Sequence, residues 1–253
     1  MRSLLFKAWL ESRVRFLVGG LLLAAVTIAL TRFFTRDLIR LGAGGDEWHR
    51  PISFMVFAGP PSMMFVMLAL ILGLGGLQRE RATGTAVFTL ALPVSRTQLT
   101  AARALVGLFE VVALSVIPAA VVLVWSRFIP AVPYPTMPAL RTAGLWMTCG
   151  AVWFSLAFLW SVVISAEMTS TVVSMMTPLV WYTTARYTGL KRFPSLDVYG
   201  VMVGRTTEWS MPYHDFFTGQ MIGPMPWGTI AAFFAVAGGL FALAVRLTRQ
   251  QNY

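Results

Sequence analysis

The residues best suited to chemistry lie in one stretch, LQRERATGTAVFTLALPVSRTQLTAARALVG, from Leu77 to Gly107. Glu80, Arg81 and Arg96 place charge towards its two ends, and Val87, Phe88 and Leu90 lie in the apolar run between them. Gly84 lets the chain turn without a side-chain clash, and Thr85 follows it. Thr85 to Leu92 then supplies about two helical turns, stopped by Pro93, whose ring and missing N–H end the helix. Ser95 with Gln98 three residues later is a capping-box pattern ahead of a long apolar helix. Taken by themselves these residues read as a structured, solvated loop whose basic side chains satisfy membrane topology. It contains no nucleophile with a partnering base.

Elsewhere reactive groups are sparse. Glu110 falls inside an apolar helix, where an ionisable group is costly enough to mark a candidate polar site, with a basic residue near the membrane face as its expected partner. The single cysteine, Cys149, excludes an intrachain disulfide and a thiolate metal cluster. His49 and His214 lie in different loops and make a poor metal pair, so no metal site is expected. There is no His-Glu-x-x-His, no Gly-x-Ser-Gly nucleophile with a helix histidine and no paired-glutamate motif. A glycine-rich phosphate loop ending in Lys-Ser or Lys-Thr is also absent from the sequence, so nucleotide chemistry would have to come from another chain.

The elements that must position these residues are membrane helices. The chain is 57% hydrophobic and 12% charged, with a mean hydropathy of +0.71; soluble domains carry roughly 25% charged residues. A bilayer core about 30 Å thick needs ~20 apolar residues per helical crossing. Six stretches meet or approach that length, and they predict an all-α, single-domain polytopic membrane protein over residues 1–253. The spans are expected at about 16–34, 52–77, 104–126, 142–166, 169–187 and 227–247. The residues before the first span, MRSLLFKAWLESRVR, carry Leu4, Leu5, Ala8 and Trp9 at helical spacing among charges and predict a short amino-terminal helix lying in the interface. No small-x-small cleavage site precedes a soluble region, so the first apolar stretch is expected to be a span rather than a signal peptide.

Charge does not orient the chain by itself. The 20 Lys and Arg residues divide evenly between the two faces that six spans define. Asp37, Asp46, Glu47, Asp197, Glu208 and Asp215 all fall on one face, which leaves the face bearing the termini and the 78–103 loop the more positive and favours cytoplasmic termini. The formal net charge of +10 suits anionic headgroups, and its division between two faces argues against a nucleic-acid partner.

In the loop between the second and third spans, Glu80, Gly84, Thr85, the apolar run to Leu92, and Pro93, Val94, Ser95, Arg96 and Leu99 resemble the "E-x-x-x-G-T, apolar run, P-V-S-R" pattern of ABC-2 type transporter permease subunits. The layout is similar too, with an interfacial first helix, six spans and a long external segment before the last one. This resemblance implies that loop 78–103 is a cytoplasmic coupling loop seated on a separate ATPase. It implies two ATPase subunits that bind ATP and Mg, a second permease copy or homologue, and a chain that binds no cofactor itself and is not an enzyme. It also implies a plasma-membrane location and a second and fifth span lining the route. Candidate lining residues are Pro60, Met64, Thr171, Ser174 and Pro178, since a helix proline frees carbonyls that only protein or a wet cavity can satisfy. Glu167, in the turn after the fourth span, reads as a surface residue. The segment 188–226 is too long for a turn and rich in aromatics, and is expected to form short interfacial or re-entrant helices outside. An intramembrane enzyme on lipid or peptide, or a passive channel, are the alternatives; neither finds its motif here.

Overall fold

A computed structural model describes residues 2–40, 49, 51–74, 95–128, 134–164, 166–187, 196–204 and 225–250. The described elements are all helical: α1 (Arg2–Arg40), a π-helical turn (Ser53–Phe57), α2 (Pro60–Gly73), α3 (Arg96–Arg127), α4 (Thr136–Val163), α5 (Glu167–Tyr187), the short α6 (Val198–Met202) and α7 (Trp227–Gln250). Five segments among them are long and apolar enough to cross a membrane: Ser3–Asp37, Ser53–Gly73, Thr97–Arg127, Thr136–Val163 and Trp227–Gln250. Such helices suit a bilayer because every interior backbone group is paired within its own segment.

The separate interfacial helix expected at the amino terminus is corrected. Residues 2–40 form one continuous helix of 39 residues, about 58 Å long at 1.5 Å per residue and so well beyond a 30 Å hydrocarbon core. Nothing in the sequence breaks it, because no proline occurs before Pro51. Its two glycines mark crossings rather than ends. Gly19 faces Leu68 of α2, and Gly20 faces Leu114 and Ile117 of α3, close approaches of the kind small residues allow between membrane helices. Further along, Thr27, Thr31 and Thr35 are buried and each returns its hydroxyl to the carbonyl four residues back, at 2.7, 2.7 and 2.6 Å, which satisfies them inside the helix.

The second span is interrupted where two prolines fall. The amide of Ala58 reaches the carbonyl of Ser53 at 3.2 Å, closing a π turn; Gly59 is extended, and Pro60 and Pro61 start α2. Proline is tolerated there because first-turn amides have no intrahelical partner. Two hydroxyl pairs pin this break: Ser53 with Tyr134 at 2.9 Å and Ser62 with Tyr199 at 2.9 Å, while Ser62 also donates to the Gly59 carbonyl at 2.7 Å. Tyr134 lies between α3 and α4, and burial pushes its phenol up to about 12 from an ordinary 10.0, against the smaller opposing effect of the Ser53 hydrogen bond. Because the folded value is the higher one, the phenol's contribution to stability is complete below pH 10 and is lost as pH rises through 12. In a difference titration against Tyr134→Phe, followed by tyrosinate absorbance, a tyrosine ionising near pH 12 should be the one missing from the variant.

The core is organised around α4, which packs against α2, α3, α5, α6 and α7. It is the most buried candidate span, at 67%, and α7 the least, at 17%. Trp146, Cys149, Trp153 and Phe154 of α4 join Phe65 of α2, Val111 and Leu114 of α3 and Tyr199 of α6 in the main apolar cluster. Gly150 lets α4 meet Phe65 and Val111, and Gly73 lets the end of α2 lie against the α4 backbone at Phe154. The short α6 is buried along its whole length, capped by Asp197, whose carboxylate accepts from the Gly200 amide at 2.8 Å.

Helix α5 occupies the expected fifth span but is not among the five apolar segments. Thr169, Ser170, Thr171, Ser174, Thr177, Thr183 and Thr184 lower its hydropathy. It packs mainly on α4. Its proline, Pro178, sits inside a helix that continues through it.

Candidate functional site

The motif-bearing loop joins α2 to α3. Glu80, Arg81, Gly84, Thr85, Val87, Phe88, Leu90 and Pro93 lie outside the described residues; the two helices that hold the loop, its stems, do not. The trailing stem begins earlier than expected. Residues 96–103, read as the end of the loop, are the first turns of α3, and the helix starts at Arg96 rather than near Ala104. Ser95 is its N-cap, in extended conformation, with its hydroxyl accepting from the Gln98 amide at 3.3 Å, so the predicted cap is present. The leading stem ends at Gly73, with Leu74 as its C-cap.

Both stems are tied to the beginning of α1. On the α3 side, Arg103 donates to the Glu11 carboxylate from Nη2 at 2.9 Å and from Nε at 3.2 Å. Lys7 lies 3.7 Å from the other oxygen of Glu11. About two turns further along α3, Glu110 accepts at Oε1 from the Ser12 hydroxyl, which also reaches the Ala8 carbonyl at 3.1 Å. On the α2 side, Arg15 donates from Nη1 to the Ile71 carbonyl at 3.3 Å. A cation suits that position, because the last carbonyls of a helix carry the negative end of its dipole. Leu4 on α1 and Leu99 and Ala102 on α3 form a small buried cluster beside these links.

Glu110 is therefore more deeply enclosed than its sequence position suggests. It lies 14 residues beyond Arg96, about 21 Å along α3, and is 0% exposed. Ser12 satisfies one oxygen; Oε2 has no hydrogen-bond partner among the described residues. Arg15 is within electrostatic reach and is the basic neighbour anticipated for it. The arrangement holds a carboxyl group between helices, with the Ser12 hydroxyl bonded to it. Replacing Glu110 by Gln keeps an acceptor for Ser12 and should leave the fold intact. Glu110→Lys sets a second cation beside Arg15 and should cost about 3 kcal/mol, as breaking a buried charge interaction does. Labelling of Cys149, which is fully buried, measures the difference: slow in the Gln variant and fast in the Lys variant.

The five candidate pathway residues do not converge. Pro60 is exposed, Met64 packs against the main cluster, and Thr171 donates to the Glu167 carbonyl at 2.9 Å. Ser174 is 0% exposed with no partner for its hydroxyl among the described residues, and Pro178 is half-buried. A separate apolar cleft of about 430 Å³ runs between α4 and α5, lined by Trp160, Val173, Met176, Thr177, Trp181 and Leu196 among others, and by none of those five. Glu167 is exposed in the first turn of α5. His49 is buried edge-on to Tyr134, with ring centroids 5.4 Å apart; no cluster of three metal-ligating side chains occurs among the described residues.

The sequence reading did not single out Glu11, Ser12, Arg15 or Arg103 as site residues. A signal was present: Lys7, Glu11 and Arg15 repeat every fourth residue and so share one helix face. No family model, curated protein or solved structure matches the chain.

Proposed function

We propose that this chain is the permease subunit of an ABC-2 type transporter, moving a substrate across or out of the membrane with energy from ATP hydrolysed by a separate subunit. One observation carries the reading: the ordered set Glu80, Gly84-Thr85 and Pro93-Val94-Ser95-Arg96 stands between two helices of membrane-spanning length. Loop 75–94 is then the docking element. Its charges meet the ATPase at the rim, and Val87, Phe88 and Leu90 enter a groove at the centre. Closure of two ATPase subunits on ATP and Mg moves the loop, and helices of fixed length carry the displacement into the membrane. The functional unit is a pair of permease chains with two ATPases.

In this reading α5 is the sixth crossing, with Thr171, Thr177 and Thr183 bonded to carbonyls of their own helix, and both termini are cytoplasmic at the plasma membrane. The buried α6 belongs to the external segment that closes the outer end. Five crossings would put the termini on opposite sides. Reporter fusions at the two ends therefore decide the span count.

Photo-crosslinking tests the function itself. A photoreactive side chain at Phe88 in the cell-borne chain should capture a protein containing a phosphate-binding loop, identified by mass spectrometry. Capture of lipid alone, with no nucleotide-binding subunit at any site along 80–90, would overturn the reading.

A further inference from the structure

The three polar links from α1 share a feature that the docking reading does not require: all of them start within five residues of α1, and they end on both stems. Glu11 and Ser12 hold α3 through Arg103 and Glu110; Arg15 holds α2 through the Ile71 carbonyl. We propose that the amino-terminal part of α1 is a bracket that fixes the separation of the two stems, with Glu11, Ser12 and Arg15 as positioning residues for α2 and α3. The identity of the docking partner rests on the permease reading; the bracket rests on the geometry alone.

Three features make this more than incidental surface pairing. First, the links use different chemistry at successive depths: an ion pair at the rim, a hydroxyl-to-carboxylate bond to a fully buried Glu110, and a guanidinium on a helix end. Exposed pairs contribute little, but Arg103 is only 9% exposed in its pair. Glu110 also loses a partner in a dry site if Ser12 moves, and that costs far more than a surface contact. Second, the apolar seat of Leu4 against Leu99 and Ala102 aligns α1 along α3, so the polar groups meet without a search. Third, the bracket is continuous with the crossings at Gly19 and Gly20, where the same helix touches Leu68 of α2 and Leu114 of α3. A displacement of either stem is therefore resisted by α1 at two levels. Because α1 runs unbroken to Arg40, it also carries such a displacement towards Leu30 and Phe34, which pack against the cluster of Ile52, Phe57 and Tyr134 beside the break in the second span.

Stem separation can be measured without any partner. Cys149, the only cysteine, is replaced by alanine, and spin labels are placed at Leu74→Cys and Gln98→Cys in the full chain in lipid nanodiscs for pulsed electron resonance. The intact bracket should give one narrow distance distribution. Glu11→Gln with Arg15→Gln should broaden it about twofold, as expected where local opening is no longer resisted. The reciprocal exchange Glu11→Arg with Arg103→Glu should restore a narrower distribution than Glu11→Arg alone, even if the single variants fold poorly. An unchanged distribution in the double Gln variant, or no recovery on reciprocal exchange, would overturn the bracket. A narrow distribution in a chain that retains no ATPase would leave the bracket standing and remove the permease reading instead.

Discussion

Reversing the loop's charges, Glu80→Lys with Arg96→Glu, should abolish retention of an ATPase by the purified chain while leaving the chain folded. A docking contact of this kind concentrates its energy in a few anchors. A loss of 2–4 kcal/mol, the usual range for such anchors, corresponds to roughly 30- to 1,000-fold in affinity. The fold should survive for a local reason. Arg96 is the first residue of α3 after the Ser95 cap, and an acidic residue at a helix start is favoured by the helix dipole. Size-exclusion behaviour and slow Cys149 labelling would show that the variant remains assembled. If it binds an ATPase as well as the parent chain, the loop is not the docking surface.

Gly73→Val should pry α2 away from α4. A Cβ at Gly73 would stand 2.6 Å from the carbonyl oxygen of Phe154 and 2.8 Å from the Ala157 Cβ. Neither can rotate away, so α2 must separate from α4. Overpacking of this sort costs about 1–3 kcal/mol or more. At the upper end of that range, opening that exposes the Cys149 thiol should become roughly 100-fold more frequent. Gly150→Ala is the comparison. There the new methyl meets the edge of the Phe65 ring and a methyl of Val111, side chains that can shift, so the increase in labelling should be smaller. Equal rates in the two variants would mean that the backbone approach at Gly73 is not what holds α2 on α4.

Much of the fold was legible because a membrane reduces it to helix length and apolarity. All six expected spans appear as helices, five of them long and apolar enough to cross a membrane, and Pro60 and Pro61 mark the interruption of the second. The Ser95 cap fixes where α3 begins, although apolarity alone placed the span eight residues later, since residues 96–103 are helical but mixed in character. The amino-terminal helix misled for the opposite reason. Its charges suggested an interfacial piece, yet no residue between Arg2 and Arg40 stops a helix, and propagation is favoured wherever nothing breaks it. Thr and Ser keep α5 below the apolarity of the other spans, because hydroxyls that bond their own helix, as Thr177 does to the Val173 carbonyl at 2.7 Å, lower hydropathy. Glu110 stood out through its depth. Its contact with Ser12 did not, because 98 residues separate the two and helical periodicity carries no information about pairing between helices. The docking role proposed for Glu80 to Pro93 rests on their order in the sequence.

The most direct measurement is affinity purification of the intact chain in mild detergent at low salt, with and without ATP and Mg. If the chain is a permease subunit, an ATPase with a phosphate-binding loop should co-elute in about equal amount, as two copies on a pair of permease chains. Recovery of the folded chain with no nucleotide-binding subunit under any of these conditions would contradict the account.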